Sequence, residues 1–467
     1  MSTTPLELEL ESPQRIAKLE ALTAELSKSE SVTHVSCQFV TVQARVLAKV
    51  MPIKYFLEDV AKNGLPLAYV ASGGLQETLD GELVGPESVT TREGILIPDL
   101  ETFAVLPWDP QVAQVLCTQF HPLREAERGG QVAEADCRAN LRRVAEDFKR
   151  RTGFELRTGC EPEMTWAPSS DSLKAELITD FPSWVGTGYH TGHLDKMMPI
   201  VKRITAYAEK LGFDMVQADY EDPGQLECNF MYDNALATAD RLVTYRQICK
   251  AVASELDVFA TFMPRPIPGI MGNGCHHHAS LWKGDENVFA SEDDLTEVGR
   301  HALGGLLEHT SAMTALFAPT MNSYGRFGAG LLAPTVTNWG FENRMANYRV
   351  LPHRVEVRGP DASVNPYLSH AAIMAAMADG IERQIDPGPP AESIADEAVS
   401  TAQFPSFASP PKTLSLALDA LEKDDVIRAA LSDTLLDTFV QAKRDECRRR
   451  DIALTDWDYA AYLNYLP

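Results

Sequence analysis

Hydrophobic positions in the first quarter of the chain follow two periods, one helical and one typical of strands. Four apolar side chains within residues 15–29 recur every three or four positions and predict an amphipathic helix, namely Ile16, Leu19, Leu22 and Leu26. The preceding residues 1–15 are polar and are expected to fray. Runs rich in Val and Thr then predict strands over 32–42, 46–51, 95–97 and 112–117. A small mixed-sheet domain is therefore predicted over residues 30–118.

Longer helical patterns alternate with short strand-like runs in the rest of the chain. Helices are predicted over 135–151, 202–211, 235–256, 301–317, 366–381 and 414–449. Strands are predicted over 154–166, 216–218, 260–263 and 354–358. Residues 385–412 are rich in Pro, Ala and Ser and are expected to form a surface excursion. The interleaving predicts a second, larger domain of mixed α and β structure over residues 119–467.

The composition is that of a globular protein with a strong acidic excess. The 467 residues carry 66 acidic and 42 basic side chains, which gives a formal net charge of −24. This balance argues against nucleic-acid binding and against adhesion to anionic membranes. No apolar run reaches the length of a transmembrane helix, and the eight cysteines are scattered without a C-x-x-C pair. We therefore expect a cytoplasmic protein with reduced thiols.

Carboxylates cluster on one predicted strand and around one predicted turn. Glu161 and Glu163 are two residues apart, so their side chains share one face of the strand. Two carboxylates that close repel each other unless a cation lies between them. Further acids surround Pro223, namely Asp219, Glu221, Asp222 and Glu227. Taken singly, these groups also fit a solvated strand face and an acidic surface turn.

Histidines and arginines supply the complementary chemistry. Residues 276–278 are consecutive histidines next to glycines, and a strand would present His276 and His278 on one face and His277 on the other. Five arginines within 33 residues indicate an anion site, with salt bridges as the alternative for one or two of them: Arg326, Arg344, Arg349, Arg354 and Arg358. Acids, imidazole and arginines together indicate divalent Mg²⁺ or Mn²⁺ holding nucleotide phosphates, the set that phosphoryl transfer needs.

Several motifs, in this order, make the chain resemble the glutamine synthetase family over nearly its whole length. They are Gly159–Glu163, Gly224–Glu227, Phe262–Pro266, Gly272–Leu281, Asn322–Tyr324, Asn343-Arg344, Arg354–Asp361 and Asn365–Tyr367. The resemblance implies an α+β fold with a small N-terminal β-grasp-like domain and a large catalytic domain of antiparallel sheet and helices. It also implies a ligase in which ATP converts glutamate to γ-glutamyl phosphate and an amine then displaces the phosphate.

The resemblance implies a role for each candidate residue. One metal ion is expected on Glu163, Glu227 and Glu221, with Asp219 as the alternative to Glu221. The other is expected on Glu161, His276 and Glu356. The residues expected at ATP are His278, Ser280, Arg349 and Arg354, and those expected at glutamate are Gly272, Arg326 and Arg358. The residues expected to act in catalysis are Arg344, Arg349 and Glu356, the two arginines steadying the phosphates and the transition state.

Two departures from the family pattern concern the amine. Family members that use ammonia carry an aspartate in the small domain and a glutamate six residues after the glutamate-binding arginine. The matching positions are Val70, on a looser alignment, and Leu332, six residues after Arg326 and just before Ala333. An ammonium ion in such a site loses both carboxylates, which costs several kcal/mol, whereas Val70 and Leu332 favour an amine with a hydrocarbon body. These residues are therefore expected to form an amine pocket.

The expected acceptor is an apolar amine, either an arylamine such as aniline or an alkylamine such as methylamine or isopropylamine. The segments 272–276 and 232–241 resemble the γ-glutamylmethylamide synthetase branch. We favour the arylamine, because it is neutral at pH 7 and needs no base to free its lone pair. The alternatives are a glutamine synthetase using ammonia and a catalytically weak regulatory homologue. The family also implies a dodecamer of two hexameric rings, with Val70 brought to the neighbouring subunit's active site.

Overall fold

The computed structural model of the chain describes residues 3–28, 31–171, 188–291, 294–327, 332–391 and 410–463. It has two sheets, one in the N-terminal part and one in the remainder, with helices packed on both. The predicted α+β architecture is confirmed. Across these residues, no helix has both the length and the apolar character that are needed to cross a membrane.

The N-terminal part is built on a six-stranded mixed sheet in the order β2-β1-β6-β4-β3, with β5 beside β6. The strands are β1 (His34–Val40), β2 (Val46–Pro52), β3 (Leu65–Ala68), β4 (Glu93–Pro98), β5 (Ala104–Leu106) and β6 (Asp109–Phe120). The helices are α1 (Pro5–Leu10), α2 (Pro13–Leu26) and α3 (Glu87–Thr90). Short helical turns span Ile53–Tyr55, Phe56–Val60, Ala61–Asn63, Tyr69–Gly73 and Leu100–Thr102. The pairing of β1 with β6 is parallel and makes the sheet mixed, as the sequence predicts.

Residues 5–10 form helix α1, so the prediction that residues 1–15 fray is wrong over these six residues. Thr4 and Glu7 form a reciprocal capping box at its start. Leu6 is only 2% exposed and packs with Ile97 and Phe120 of the sheet. Leu6 and the partly buried Leu10 dock this helix, whose six residues are too few for periodicity to detect.

The second sheet has the order β14-β15-β16-β12-β7-β9-β8, with β10 and β11 beside β7 and β13 beside β12. Its strands are β7 (Glu155–Ala167), β8 (Met215–Tyr220), β9 (Gln225–Phe230), β10 (Asp233–Asn234), β11 (Phe259–Thr261), β12 (Cys275–Lys283), β13 (Glu286–Asn287), β14 (Trp339–Phe341), β15 (Tyr348–Leu351) and β16 (Arg354–Val357). Every pair is antiparallel except β14 with β15.

The remaining helices belong to the same part of the chain as this sheet. They are α4 (Cys137–Thr152), α5 (Thr191–Lys210), α6 (Ala235–Glu255), α7 (Glu297–Glu308), α8 (Thr310–Phe317), α9 (Ser323–Phe327), α10 (Pro366–Arg383), α11 (Leu414–Leu421), α12 (Asp425–Ala430), α13 (Asp433–Ile452) and α14 (Asp456–Tyr462). Helix α10 is buried along most of its length and packs against α7 and α4. The core therefore lies between the sheet and α10, which leaves the opposite face of the sheet for function.

Two long helices predicted from the sequence are interrupted, and one predicted helix is longer than expected. The pattern over 301–317 is divided at His309 into α7 and α8, and the pattern over 414–449 is divided into α11, α12 and α13. Asp424 caps the start of α12, and Ser432 caps the start of α13. Because the apolar spacing continues across both caps, periodicity alone predicts one uninterrupted helix. The helix predicted over 202–211 begins eleven residues earlier, at Thr191. Of the predicted excursion over 385–412, residues 392–409 lie outside the described part.

Candidate active site

The register of five neighbouring strands brings the predicted acids and histidines onto one face of the second sheet. His276 of β12 lies opposite Glu161 of β7, and His278 lies opposite Glu356 of β16. Glu227 of β9 lies between Glu163 of β7 and Asp219 of β8. Directly opposed residues of an antiparallel pair present their side chains on the same face. The five strands therefore converge on one polar surface.

His277 points to the other face, as strand alternation predicts. Its Nε2 lies 2.8 Å from the Ser369 hydroxyl, and its Nδ1 lies 3.6 Å from the Cys160 thiol. Its ring also stacks on that of His370 at a centroid distance of 4.6 Å. His277 therefore belongs to the packing between sheet and helix α10, away from the polar surface.

Glu161, His276 and Glu356 form one compact group whose ligand atoms all lie within 4.8 Å of one another. His276 Nδ1 is 3.3 Å from Glu161 Oε2 and 3.1 Å from Glu356 Oε1. Burial and the charge of Arg358 lower the pKa of His276, but the two carboxylates more than compensate and raise it to about 9. A proton is thus held where two acids and an imidazole converge. This donor set of oxygen and imidazole nitrogen fits a divalent cation in place of that proton.

The second group consists of acids with little compensating positive charge. Burial raises the pKa of Glu227 well above its usual value, and the charges of Glu161 and Glu163 raise it further. Burial, Glu163 and Asp219 likewise raise the pKa of Glu221. One Glu163 oxygen accepts hydrogen bonds from the Gly274 N–H and the Gln225 amide, which holds its orientation. Like charges held this close fit a cation-binding site, and carboxylates suit Mg²⁺ or Mn²⁺.

The predicted arginines surround these two groups. Arg349 and Arg358 both donate to Glu356, at 3.0 and 2.5 Å. The Arg326 guanidinium lies 3.3 Å from His276 Nε2. Arg344 reaches the same cavity, where its charge partly offsets the rise in the pKa of Glu221. The backbone approaches closely at Gly272, where a Cβ would lie 2.3 Å from the Pro264 carbonyl oxygen.

A cavity of about 140 Å³ lies over this face. The predicted residues that line it are Glu161, Glu163, Asp219, Glu221, Glu227, Gly272, His276, Arg326, Leu332, Arg344, Arg349 and Arg358. Glu356 lies buried beneath them. Tyr189 and Met271 line it too, and no motif in the sequence singled out either one. The cavity thus gathers carboxylates on one side and guanidinium groups on the other.

A second, larger cavity of about 610 Å³ adjoins the first, and Glu161 lines both. Three residues predicted at ATP line it, namely His278, Ser280 and Arg354. His278 lies 2.8 Å from Glu161 through Nε2 and accepts a hydrogen bond from Arg354 Nε at Nδ1. The remaining predicted ATP residue, Arg349, lines only the first cavity, where it contacts Glu356.

Two aromatic side chains of the larger cavity were not predicted. The rings of Tyr232 and Trp282 are nearly parallel, with centroids 6.1 Å apart, and the Arg157 guanidinium lies 3.9 Å from the Trp282 ring centroid. Trp282 follows Ser280 by two positions in the same strand, so alternation would have identified it as a neighbour. Flat apolar surfaces of this kind suit a planar base.

The two residues of the predicted amine pocket lie apart within one chain. Leu332 is 39% exposed and lines the smaller cavity, and its carbonyl oxygen accepts a hydrogen bond from Arg358. Val70 is buried in the helical turn Tyr69–Gly73 of the N-terminal part and does not line this cavity. A single chain therefore supplies only Leu332 to its own site.

Comparison with known proteins agrees with this geometry. Residues 134–462 match the family described as "Glutamine synthetase, catalytic domain". The chain is 36% identical over 419 residues to a glutamine synthetase of Pyrococcus abyssi, covering 86% of this chain and 89% of that protein. It is 31% identical over 467 residues to a glutamine synthetase of Methanococcus voltae, covering 94% and 98%.

Solved structures match almost the whole fold. Two described as "GmaS/ADP complex-Conformation 1" and "Apo GmaS without ligand" are 28% and 29% identical, with TM-scores of 0.80 and 0.81. Each match covers 94% of this chain and 99% of the other. The chain therefore belongs to the glutamine synthetase family.

Proposed function

We propose that this ATP-dependent, C–N bond-forming ligase joins L-glutamate to an apolar amine and releases a γ-glutamylamide, ADP and phosphate. The observation that carries the proposal is Leu332 in the wall of the smaller cavity, beside Arg326 and Arg358. An apolar side chain there offers an ammonium ion no partner, and an unpaired charge next to a low-dielectric wall is costly. A hydrocarbon group on the amine instead gains by contact with it.

The names of the relatives support different acceptors. The solved neighbours carry the abbreviation GmaS, which fits the γ-glutamylmethylamide synthetase branch, whereas the curated relatives are glutamine synthetases. Within the apolar amines we favour an arylamine such as aniline over methylamine or isopropylamine, because its lone pair is free at pH 7. Ammonia is the second candidate. A purely regulatory homologue is disfavoured by the full complement of acids, histidine and arginines in the cavity.

The metal ions would be held by the two acidic groups. Glu161, His276 and Glu356 would hold one, and Glu163, Glu227 and Glu221 the other. Divalent ions held by these residues would neutralise phosphate charge during phosphoryl transfer. Both Glu221 and Asp219 line the cavity. We favour Glu221 as the third ligand because the charge of Glu163 raises its pKa, and Asp219 is the alternative.

The protein's own side chains would handle the remaining charges. Arg326 and Arg358, with Gly272, would bind the carboxylate groups of glutamate and hold its γ-carboxylate towards the ATP cavity. Arg344 and Arg349 would stabilise the transferred phosphoryl group. His278, Ser280 and Arg354 would position ATP. The γ-carboxylate would attack the γ-phosphorus of ATP and displace ADP. The amine nitrogen would then attack the carbonyl carbon of γ-glutamyl phosphate, the C–O bond would break with its electron pair passing to the departing phosphate, and the proton lost by the nitrogen would pass to that phosphate or to water.

We also propose that the active enzyme is an oligomer, a dodecamer by family resemblance, in which Val70 lines the neighbouring subunit's amine pocket. Two observations support an oligomer: Val70 is remote from its own chain's cavity lining, and the C-terminal segment 452–463 exposes large apolar side chains. These are Ile452, Leu454, Trp457, Tyr459, Tyr462 and Leu463. The domain boundary proposed at 118–119 falls within β6, which ends at Phe120. The cysteines are free and buried, which suits the proposed cytoplasmic location.

The test is phosphate release with glutamate, ATP and Mg²⁺ and a panel of acceptors: ammonia, methylamine, isopropylamine, ethanolamine, putrescine and aniline. We expect the highest kcat/KM for an apolar amine, with the γ-glutamylamide identified by mass spectrometry. Ammonia exceeding every other acceptor by a wide margin would disprove the proposal. Tight ligand binding without ADP release for any acceptor would favour the regulatory homologue.

A further inference from the structure

A β-hairpin-like turn of the N-terminal part is docked against helix α13 near the end of the chain. The turn covers residues 76–84 and is closed by the hydrogen bonds Thr78 N–H to Glu82 O and Val84 N–H to Gln76 O. An isolated bridge between Glu77 and Leu83 completes it. These hydrogen bonds hold the turn together, so a shift at one end of it would move the other end.

Side chains of α13 accept hydrogen bonds from the backbone of this turn. Asp445, only 3% exposed, accepts the Leu79 N–H at 2.8 Å. Gln441 accepts the Gly85 N–H at 2.6 Å. Because both donors are main-chain groups, these contacts determine where the backbone of the turn lies. A buried carboxylate that loses its donor is costly, so the Asp445 contact strongly constrains the turn.

Residues 76–84 also pack against the segment that carries Val70. A Cβ on Gly73 would lie 2.5 Å from the Val84 carbonyl oxygen, so the two backbones are in direct contact. The Gln43 amide bridges the Gly73 carbonyl and the Gln76 side chain at 3.3 and 3.1 Å. The Leu75 N–H donates to the carbonyl of Val70 at 3.3 Å. Contacts are therefore continuous from Asp445 to Val70.

The next residue of α13 holds a different part of the site. Glu446 accepts the Met321 N–H at 2.9 Å through one carboxylate oxygen and binds Lys443 at 2.9 Å through the other. Met321 lies two residues before the start of α9, which carries Arg326 into the smaller cavity. Two consecutive residues of one helix thus constrain two segments proposed to meet different substrates.

We propose that Asp445 and Glu446 are positioning residues, Asp445 for the Val70 segment and Glu446 for the Arg326 segment, so that α13 links the amine and glutamate sites. The inference rests on the proposed function. Because Val70 is proposed to face the neighbouring subunit, the same helix joins a chain's own site to that of its neighbour.

Kinetics with the full-length oligomer tests the two roles separately. Asp445→Ala is expected to raise KM for the amine about tenfold and leave KM for glutamate nearly unchanged, and Glu446→Ala to do the reverse. Asp445→Asn and Glu446→Gln each retain a carbonyl acceptor and should restore much of the effect. Asp437→Asn changes an exposed acid on the same helix and should leave both constants unchanged.

Hydrogen–deuterium exchange supplies a measurement that does not depend on activity. Asp445→Ala should accelerate exchange in peptides covering 75–85 without affecting 320–327, and Glu446→Ala should show the opposite pattern. The positioning roles would be overturned if either variant accelerated exchange equally in both peptides, or if neither variant accelerated exchange in any of them. If the exchange pattern holds but no apolar amine is used, the proposed function fails while the link through α13 stands.

Discussion

Glu163 and Glu227 lie directly opposite each other on adjacent antiparallel strands and are only 9% and 7% exposed. Like charges in this relationship destabilise a sheet. Burial, together with Glu161 and Glu163, raises the pKa of Glu227 well above its usual value. The sheet therefore carries an electrostatic cost that a bound cation would remove.

Glu227→Gln tests whether this pair binds metal at the expense of stability. In the presence of a chelator, we expect the free energy of unfolding of the variant to be about 1 kcal/mol higher than that of the wild type, because one of two opposed charges is gone. With Mg²⁺ or Mn²⁺ at 100 times its Kd, the wild type should gain about 2.7 kcal/mol and the variant much less. Chemical denaturation with and without metal measures both. As a control, Glu286→Gln at an exposed position should be stabilised by metal as much as the wild type is. If metal stabilised Glu227→Gln equally, Glu227 would be excluded as a ligand.

Leu332→Glu tests the apolar wall of the amine site. The new carboxylate should attract ammonium, so the ratio of kcat/KM for ammonia over the apolar amine is expected to rise roughly five- to tenfold, about 1 kcal/mol for a partly exposed ion pair. Leu416→Glu, at an exposed leucine of α11, is the matched control. An unchanged ratio would mean that Leu332 does not occupy the position of the family's glutamate.

Arg326→Lys tests glutamate binding. Arg326 is buried, and lysine offers a point charge in place of the planar fork that binds a carboxylate. We expect KM for glutamate to rise roughly 30-fold, corresponding to about 2 kcal/mol, with little change in KM for ATP. Initial rates at varied glutamate and varied ATP separate the two. Arg300→Lys, at a solvent-exposed ion pair with Asp386, should change neither; a parallel rise in both constants would argue for a folding defect.

His309 predicts a pH-dependent stability outside the site. Its Nδ1 and Nε2 lie 2.7 and 3.0 Å from Asp424 and Asp379. Burial works to lower the pKa of His309, but these carboxylates raise it above 6.5. The stabilisation is therefore complete below pH 6.5 and is lost as the pH rises through the folded-state pKa.

Thermal unfolding across pH 6 to 9 measures this effect. His309→Gln should cost about 1–2 kcal/mol at pH 6, and the difference from the wild type should shrink towards pH 9. The lowered pKa of Asp424 lies under its ordinary 3.8 and adds no slope in this window. His34→Gln, at an exposed histidine of β1, should give no such trend. A difference that stays constant with pH would show that His309 is not charged in the folded protein.

The fold was predictable where local pattern and tertiary structure agree. Alternation identified β7, including the shared face of Glu161 and Glu163, because both sides of that strand have distinct surroundings. It failed at α1, where only the buried Leu6 and the partly buried Leu10 pack against the first sheet, too few positions to show a period. The hydrophobic pattern also did not predict the break between α7 and α8 at His309, because the apolar spacing continues through it. The break is stabilised by contacts of His309 with Asp424 and Asp379, which are distant in sequence.

The site was predictable mainly through residue types and family motifs, and less through periodicity. Apart from His277, the acids, histidines and arginines of the motifs gather around the two adjoining cavities. Tyr189 and Met271 were missed because single residues in irregular segments carry no pattern. Tyr232 and Trp282 were missed although strand spacing placed Trp282 beside Ser280. The proposed role of Val70 would need a second subunit, which one chain's sequence does not describe.

Leu332 lies in a bend outside both sheets, whereas His276 and the acids proposed to bind metal lie on or at the ends of strands whose register they share. Replacing a strand residue disturbs its neighbours across the ladder, whereas Leu332 does not belong to a ladder. Under the proposed function, the chemistry of activation and the choice of nucleophile would therefore be subject to separate mutational constraints. A single substitution at Leu332 would then change the acceptor without altering the strand register on which the phosphoryl-transfer site depends.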